Sequence, residues 1–244
     1  MNLPDPPLAR DATQPCETAS VDAALPVGDP VSGTDARRPE RRPLEGRFVT
    51  LRPVDPEADA DPLWRAAHDG TGEAARLWTY LSYGPFADAV EMGRWLEECS
   101  PSEDPLFLTV LSQASGPVGI VSFLNVETAH RRLELGHIWY APVAQRTEAN
   151  TESVSLMLRE AFERLGHRRV EWKCDALNER SRAAALRLGF TFEGVFRNHM
   201  IVKGRNRDSA WFSMTAEEWP AASSAFERWL TTEPASRPSL ASLR

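Results

Sequence analysis

The residues best suited to chemistry in this chain lie between positions 133 and 166. An apolar stretch, LELGHIWY, leads into the polar connector APVAQRTEAN at 141–150, and a helical pattern follows. Val154, Met157, Leu158, Ala161, Phe162 and Leu165 recur at three- and four-residue spacing and so line one helix face. Asn150 or Thr151 can cap the start of that helix, and Gly166 suits its end. A helix start leaves backbone N–H groups without partners and carries partial positive charge. That charge is worth about 0.3–1 kcal/mol to a nearby anion, and up to about 2 kcal/mol when partly buried. A connector lined with such groups can cradle phosphate. The plain alternative is a loop that binds nothing.

Other reactive side chains each carry two readings. His137 titrates near neutral pH and is either a base or a hydrogen-bonded core histidine. Strand parity sets it on the face opposite Glu134. Cys16, Cys99 and Cys174 have no metal-ligand spacing to one another or to the histidines, so reduced thiols and no metal are expected. Cys174 sits in an alternating strand pattern and reads as core. Trp78, Tyr80, Tyr83 and Phe86 gather around Gly84-Pro85 in a loop or short turn, as a pocket wall or as a lid over the core.

Composition narrows the field. A chain of 244 residues has room for one large domain, and its net charge of −7 excludes a basic nucleic-acid surface. No apolar run is long enough to cross a bilayer, and the basic-then-apolar start of a secretory signal is missing, so a cytoplasmic protein is expected. Residues 1–45 are rich in Pro, Asp, Ala and Thr, lack aromatic residues and show no period. They are expected to form a disordered leader in which Arg37, Arg38, Arg41 and Arg42 are solvated. A domain at 46–219 and a fraying tail at 220–244 with a short amphipathic helix complete the organisation.

The elements that would position these groups follow in order. FVTLRPV reads as a strand, 59–68 as a short helix with Pro62 in its first turn, and 88–99 as a second helix. LFLTVL and VGIVSFLNV form a hairpin across SQASGP, and RLELGHIWY follows. After the connector and its helix come the strand VEWKCDA and a helix at 178–188 capped by Asn178 and stopped by Gly189. FTFEGVF and MIVKGRNRDSAWFSM, turning at KGRNRD, close the domain as strands.

This order resembles the GNAT superfamily of N-acetyltransferases, and within it the branch of ribosomal-protein-acetylase-like enzymes. Three pieces carry the likeness. Gln145, Arg146, Thr147, Glu148, Ala149, Asn150 and Thr151 are similar to that family's Q/R-x-x-G-x-G/A acetyl-CoA loop. Asn178 and Ser181 are similar to its N-x-x-S helix start, and Leu188-Gly189-Phe190 with Glu193-Gly194 to its closing motif. The resemblance implies an α/β (α+β) fold with a central, mostly antiparallel mixed sheet flanked by helices. It also implies acetyl-CoA as cofactor and direct transfer to a primary amine, either a small molecule or a protein N-terminus.

By the same resemblance, Glu134 is the leading base, Ser181 hydrogen-bonds or protonates the thiolate, and Tyr140 is a second candidate acid. Main-chain groups at Ile138, Trp139 and Tyr140 polarise the thioester carbonyl, and Asn178 holds the pantetheine arm. Trp78, Tyr80, Tyr83 and His137 line the acceptor side. The sequence departs from the pattern at Glu148, which stands where the loop has its first glycine. A glutamate there would meet a cost at positive φ, and its carboxylate must turn away from the diphosphate. Arg146 and Arg182 are expected to restore positive charge. The rival is an inactive acyl-CoA-binding or protein-interaction module of the same fold. Edge strands leave room for a homodimer.

Overall fold

The structure, a computed structural model, describes residues 25–244. Residues 25–34 are exposed and hold no helix or strand, and residues 1–24 of the leader expected at 1–45 lie outside the described residues. From Asp35 onward the chain forms one unit.

Its elements are β1 (Leu44–Glu45), β2 (Val49–Pro53), α1 (Pro56–Ala67), α2 (Gly72–Leu77), α3 (Ala89–Cys99), β3 (Leu106–Ser112), β4 (Gly116–Glu127) and β5 (Arg132–Tyr140). Then come α4 (Glu148–Arg159), extended by a π-helical turn at Glu160–Arg164, β6 (Arg169–Asp175), α5 (Glu179–Leu188), β7 (Thr191–Val202), β8 (Arg205–Thr215) and α6 (Trp219–Thr231). The strands make one sheet in the order β1-β2-β3-β4-β5-β6-β8-β7. Every neighbouring pair is antiparallel except β5 with β6. The α/β sheet flanked by helices is the expected one.

Strand alternation divides the core in two. Leu133, Leu135, Trp172 and Met214 point toward α4, α5 and α6, while Phe107, Ile120 and Trp139 point toward α1 and α3. The run VGIVSF is buried throughout because both of its faces are covered. At the far edge β7 is exposed along its length, and Phe192, Val195, Phe196, Met200 and Ile201 stand in solvent.

Four boundaries differ from the sequence reading, each for a tertiary reason. Helix α1 begins at Pro56 because Asp55 caps it, accepting from the Ala58 N–H at 3.2 Å; Pro62 is inside the helix, not in its first turn. Asp59, expected near the cap, is buried and ties Arg52, Thr109 and the Asp55 N–H together. The cap of α4 is Thr147, not Asn150 or Thr151.

The other two concern the chain ends. Residues 35–45, expected to be disordered, are docked: Ala36 and Leu44 are buried, and β1 pairs with β2. The arginines expected in solvent bridge to the body, Arg38 to Asp104, Arg42 to Glu160, Arg37 to the Arg164 carbonyl and Arg41 to the Ser102 carbonyl. The tail is likewise packed, with Trp219, Ala222, Ala225, Phe226 and Leu240 buried against the α4 side of the sheet.

Candidate active site

The site begins where two parallel strands part. β5 and β6 pair from Arg132↔Arg169 to Leu135↔Trp172, and beyond that no pairs join them, although each strand runs on. The cause lies in β5. Against β4, Ile120 pairs with Trp139 but Ser122 with Gly136, so β5 holds one extra residue there. His137 takes the left-handed conformation, with φ +51. A bulge of this kind bends its strand and re-aims side chains. The edge of β5 that carries Ile138, Trp139 and Tyr140 is therefore left without a ladder partner on the β6 side.

That bulge corrects the parity argument. Glu134 and His137 are three residues apart, yet both lie on the α1–α3 face, close to Lys173 of β6. The Glu134 carboxylate is 3.1 Å from Lys173 Nζ and accepts from Asn125 Nδ2 at 2.8 Å, both at Oε2. Among the described residues its Oε1 carries no hydrogen bond. Burial pushes the Glu134 pKa up, with Lys173 and Asn125 pulling the other way. His137 packs on Phe107 and Tyr83, and burial helped by the Lys173 charge pushes it down to about 4, so its ring is neutral at pH 7.

Below the open edge the chain turns through a 3₁₀ segment, Pro142–Ala144, into α4. Arg146 takes φ +62, so the left-handed position is Arg146 and not Glu148, which is already helical. Thr147 Oγ1 accepts from the Ala149 N–H at 3.2 Å and donates to the Ala144 carbonyl at 2.7 Å. At the other helix starts the cap carbonyl takes the N–H four residues on, as Asn178 does from Arg182 at 3.0 Å. At α4 it does not, and among the described hydrogen bonds the N–H groups of Arg146, Thr147, Asn150 and Thr151 have no partner. The segment is not paired into the sheet; Arg146 and Thr147 are exposed, Asn150 is half-buried and Thr151 is buried.

Two cations reach this helix start that the sequence did not single out. Arg187 of α5 donates to Asn150 Oδ1 at 2.7 Å and to Thr151 Oγ1 at 3.0 Å, and burial lowers its pKa. Arg237 of the tail donates to Glu148 Oε1 at 2.5 Å. Arg182, expected near the loop, instead donates to the Ala176 carbonyl at 3.2 Å.

The start of α5 faces the parted strands from the α4 side. Asn178 caps it, accepting from the Ser181 N–H at 3.1 Å. Ser181 Oγ accepts from Trp172 Nε1 at 3.0 Å, and the Cys174 thiol of β6 lies beside the same hydroxyl. The Tyr140 hydroxyl is buried beside Asn150 and Ser153 without closing a hydrogen bond to either, and burial pushes its pKa up to about 12. Cys174 is buried as expected, and no cluster of metal-ligating side chains exists among the described residues.

On the opposite face, residues 78–86 form a lid held at both ends. Tyr80 donates to the Leu177 carbonyl at 3.1 Å, and Arg180 bridges to Glu73 at 2.6 Å. Lys203, at the β7–β8 turn, donates to the carbonyls of Trp78, Tyr83 and Gly84 at 2.6–3.1 Å. Tyr83 stacks on Trp95 at 4.3 Å and lies over His137. Trp78 is buried among His68, Phe86 and Trp139 and packs the lid from beneath.

The sequence profile of the acetyltransferase (GNAT) domain matches residues 49–191, which include the parted strands, the connector and both helix starts. The chain belongs to the GNAT acetyltransferases. A GCN5-related N-acetyltransferase from Brucella melitensis is 39% identical, with a TM-score of 0.82 over 86% of this chain and 97% of that one. YdaF of Bacillus subtilis (strain 168), whose name proposes a ribosomal N-acetyltransferase, is 32% identical over 101 residues, 41% of this chain. That match spans 55% of YdaF, about half its length. The microcin C7 self-immunity acetyltransferase MccE, solved with acetyl-CoA and AMP, shares the fold at 22% identity and a TM-score of 0.61, covering 70% of this chain and 93% of that one.

Acetyl-CoA is the acyl donor that GNAT enzymes use. The residues here fit such a group: unpartnered amides and the half-buried Arg187 guanidinium suit a diphosphate, and the unpaired edge of β5 suits an amide-bearing arm. Of the missed residues, only Lys173 left a trace in the sequence, as a charge opposite Trp172 and Cys174 in an alternating strand.

Proposed function

We propose that this protein transfers an acetyl group from acetyl-CoA to a primary amine, either a small molecule or a protein N-terminus, by direct attack. The observation that carries the reading is an open helix start directly below two parted parallel strands. When bound, acetyl-CoA supplies a thioester-activated acetyl group.

The chain's own residues then have distinct tasks. The amides between Gln145 and Thr151, with Arg187 behind them, hold the diphosphate. The free edge of β5 at Ile138, Trp139 and Tyr140 aligns the arm and donates toward the thioester carbonyl. Asn178 fixes the start of α5 next to that arm. Glu134, with Oε1 free and its pKa raised by burial, takes the amine proton directly or through a water. A base matters most for a lysine-like amine, of which about one in two thousand is neutral at pH 7, and less for an α-amine, about one in seven. Ser181 hydrogen-bonds the departing thiolate, or protonates it while regaining a proton from solvent, and Tyr140 is the second candidate acid. Tyr80, Tyr83 and His137 supply the acceptor side, with Trp78 acting beneath them as support.

A non-catalytic acyl-CoA-binding module is the competing reading. The test is calorimetry with acetyl-CoA, followed by mass spectrometry of a panel of amines and peptides incubated with it. Binding together with acetylated product is the expected result. Binding without any product would favour the competing reading, and no binding would remove both.

A further inference from the structure

The C-terminal segment reaches back to the connector through one side chain. Arg237 is fixed on three sides. Its guanidinium lies over the Trp229 ring at 4.3 Å, its Nε donates to the Thr232 carbonyl at 3.0 Å, and one terminal nitrogen donates to Glu148 Oε1 at 2.5 Å. Only 11% of the Arg237 side chain and 23% of Glu148 remain exposed. Trp229 itself rides on α6, which is seated by Trp219 against Phe162 and by buried Phe226. The guanidinium is therefore held in place by the tail, independently of Glu148.

Glu148 is the first residue of α4, adjacent in the chain to the unpartnered amides of Arg146, Thr147 and Asn150. A carboxylate free to swing there would compete for those amides and repel a diphosphate. We infer that Arg237 is a positioning residue for the cofactor site, holding the Glu148 carboxylate against the tail so that the amides stay open to an anion. The inference rests on the function proposed above. It makes the segment after β8 part of the acetyl-CoA site, although no residue of that segment need touch the cofactor. The same contact holds the Glu148 pKa below the usual carboxylate range, so the group to be restrained is ionised at neutral pH.

The test measures dissociation constants by calorimetry for the full chain, with acetyl-CoA and with S-acetylpantetheine, which lacks the diphosphate. Arg237→Ala should weaken acetyl-CoA about tenfold and leave acetylpantetheine unchanged, as expected for a largely buried charge pair next to an anion. Arg237→Lys, which keeps the charge, should recover part of the loss. Adding Glu148→Gln to Arg237→Ala should restore wild-type affinity, because the offending charge is gone. If Arg237→Ala fails to fold, Arg237→Gln, which can still cover Trp229, takes its place. Glu148→Gln alone should bind acetyl-CoA at least as tightly as wild type.

An Arg237→Ala protein that melts earlier but binds acetyl-CoA normally would overturn the inference and leave the proposed function standing. So would a double variant as weak as the single one. Failure of the wild-type protein to bind acetyl-CoA would remove the function and this inference together.

Discussion

Two helices start on the same side of the sheet, and they treat their first turns in opposite ways. At α5, Asn178 uses its side chain on the Ser181 N–H and its carbonyl on the Arg182 N–H, so the start is closed. At α4, Thr147 uses its hydroxyl on the Ala149 N–H, while among the described hydrogen bonds its carbonyl takes nothing and four amides go unpartnered. An ordinary cap satisfies the helix and stops there. A start left unpartnered next to a half-buried arginine is available to a ligand. The difference separates a helix that presents a side chain, Ser181, from one that presents its own backbone.

The largest expected effect tests the closed start. Ser181→Ala should lower kcat by about 10²–10⁴-fold, the usual contribution of an acid–base group, with little change in the acetyl-CoA dissociation constant. A weaker dissociation constant at normal kcat would instead make α5 a binding element. Next comes a control away from both helices. His137 is neutral and partly buried, with its pKa lowered to about 4 from 6.5. The unfolded chain therefore binds a proton that the folded one refuses between those values, and stability rises with pH across that window. The stability is complete above pH 6.5, and by pH 4 up to about 3 kcal/mol should be lost. His137→Gln should flatten that limb in denaturant titrations.

Smaller effects probe the open start. Asn150→Asp places a carboxylate in the first turn of α4, opposite Arg187. It should stabilise the helix by about 0.3–1 kcal/mol through the dipole, while weakening acetyl-CoA about tenfold through repulsion. A thermal melt and a binding isotherm moving in opposite directions would mark the start as a ligand site. If both improve, it is a structural cap like the other. Smallest is Asn178→Ala, which should cost about 1 kcal/mol of unfolding free energy as a lost cap.

Local pattern was enough for most of the elements. Strand and helix periods gave the order around the site, and Asn178 and Gly189 bounded α5 where expected. What failed needed knowledge of distant neighbours. LELGHIWY alternates well enough to hide a bulge, because His137 finds its rings on Phe107 and Tyr83, which lie outside its own strand. Glu148 read as an unrelieved charge since its partner lies 89 residues away in a segment whose composition suggested fraying. The arginines before β1 looked solvated for the same reason: Asp104 and Glu160, their acidic partners, come from other parts of the fold.

The stretch shared with the family profile ends at residue 191, before β8 and α6 begin. Excising it would leave β6 without its antiparallel neighbour and bare the side of α4 that Trp219 and Phe226 now cover. For anyone choosing expression boundaries, the recognisable catalytic kernel is thus shorter than the smallest piece that should fold, which runs from Asp35 to the final residues.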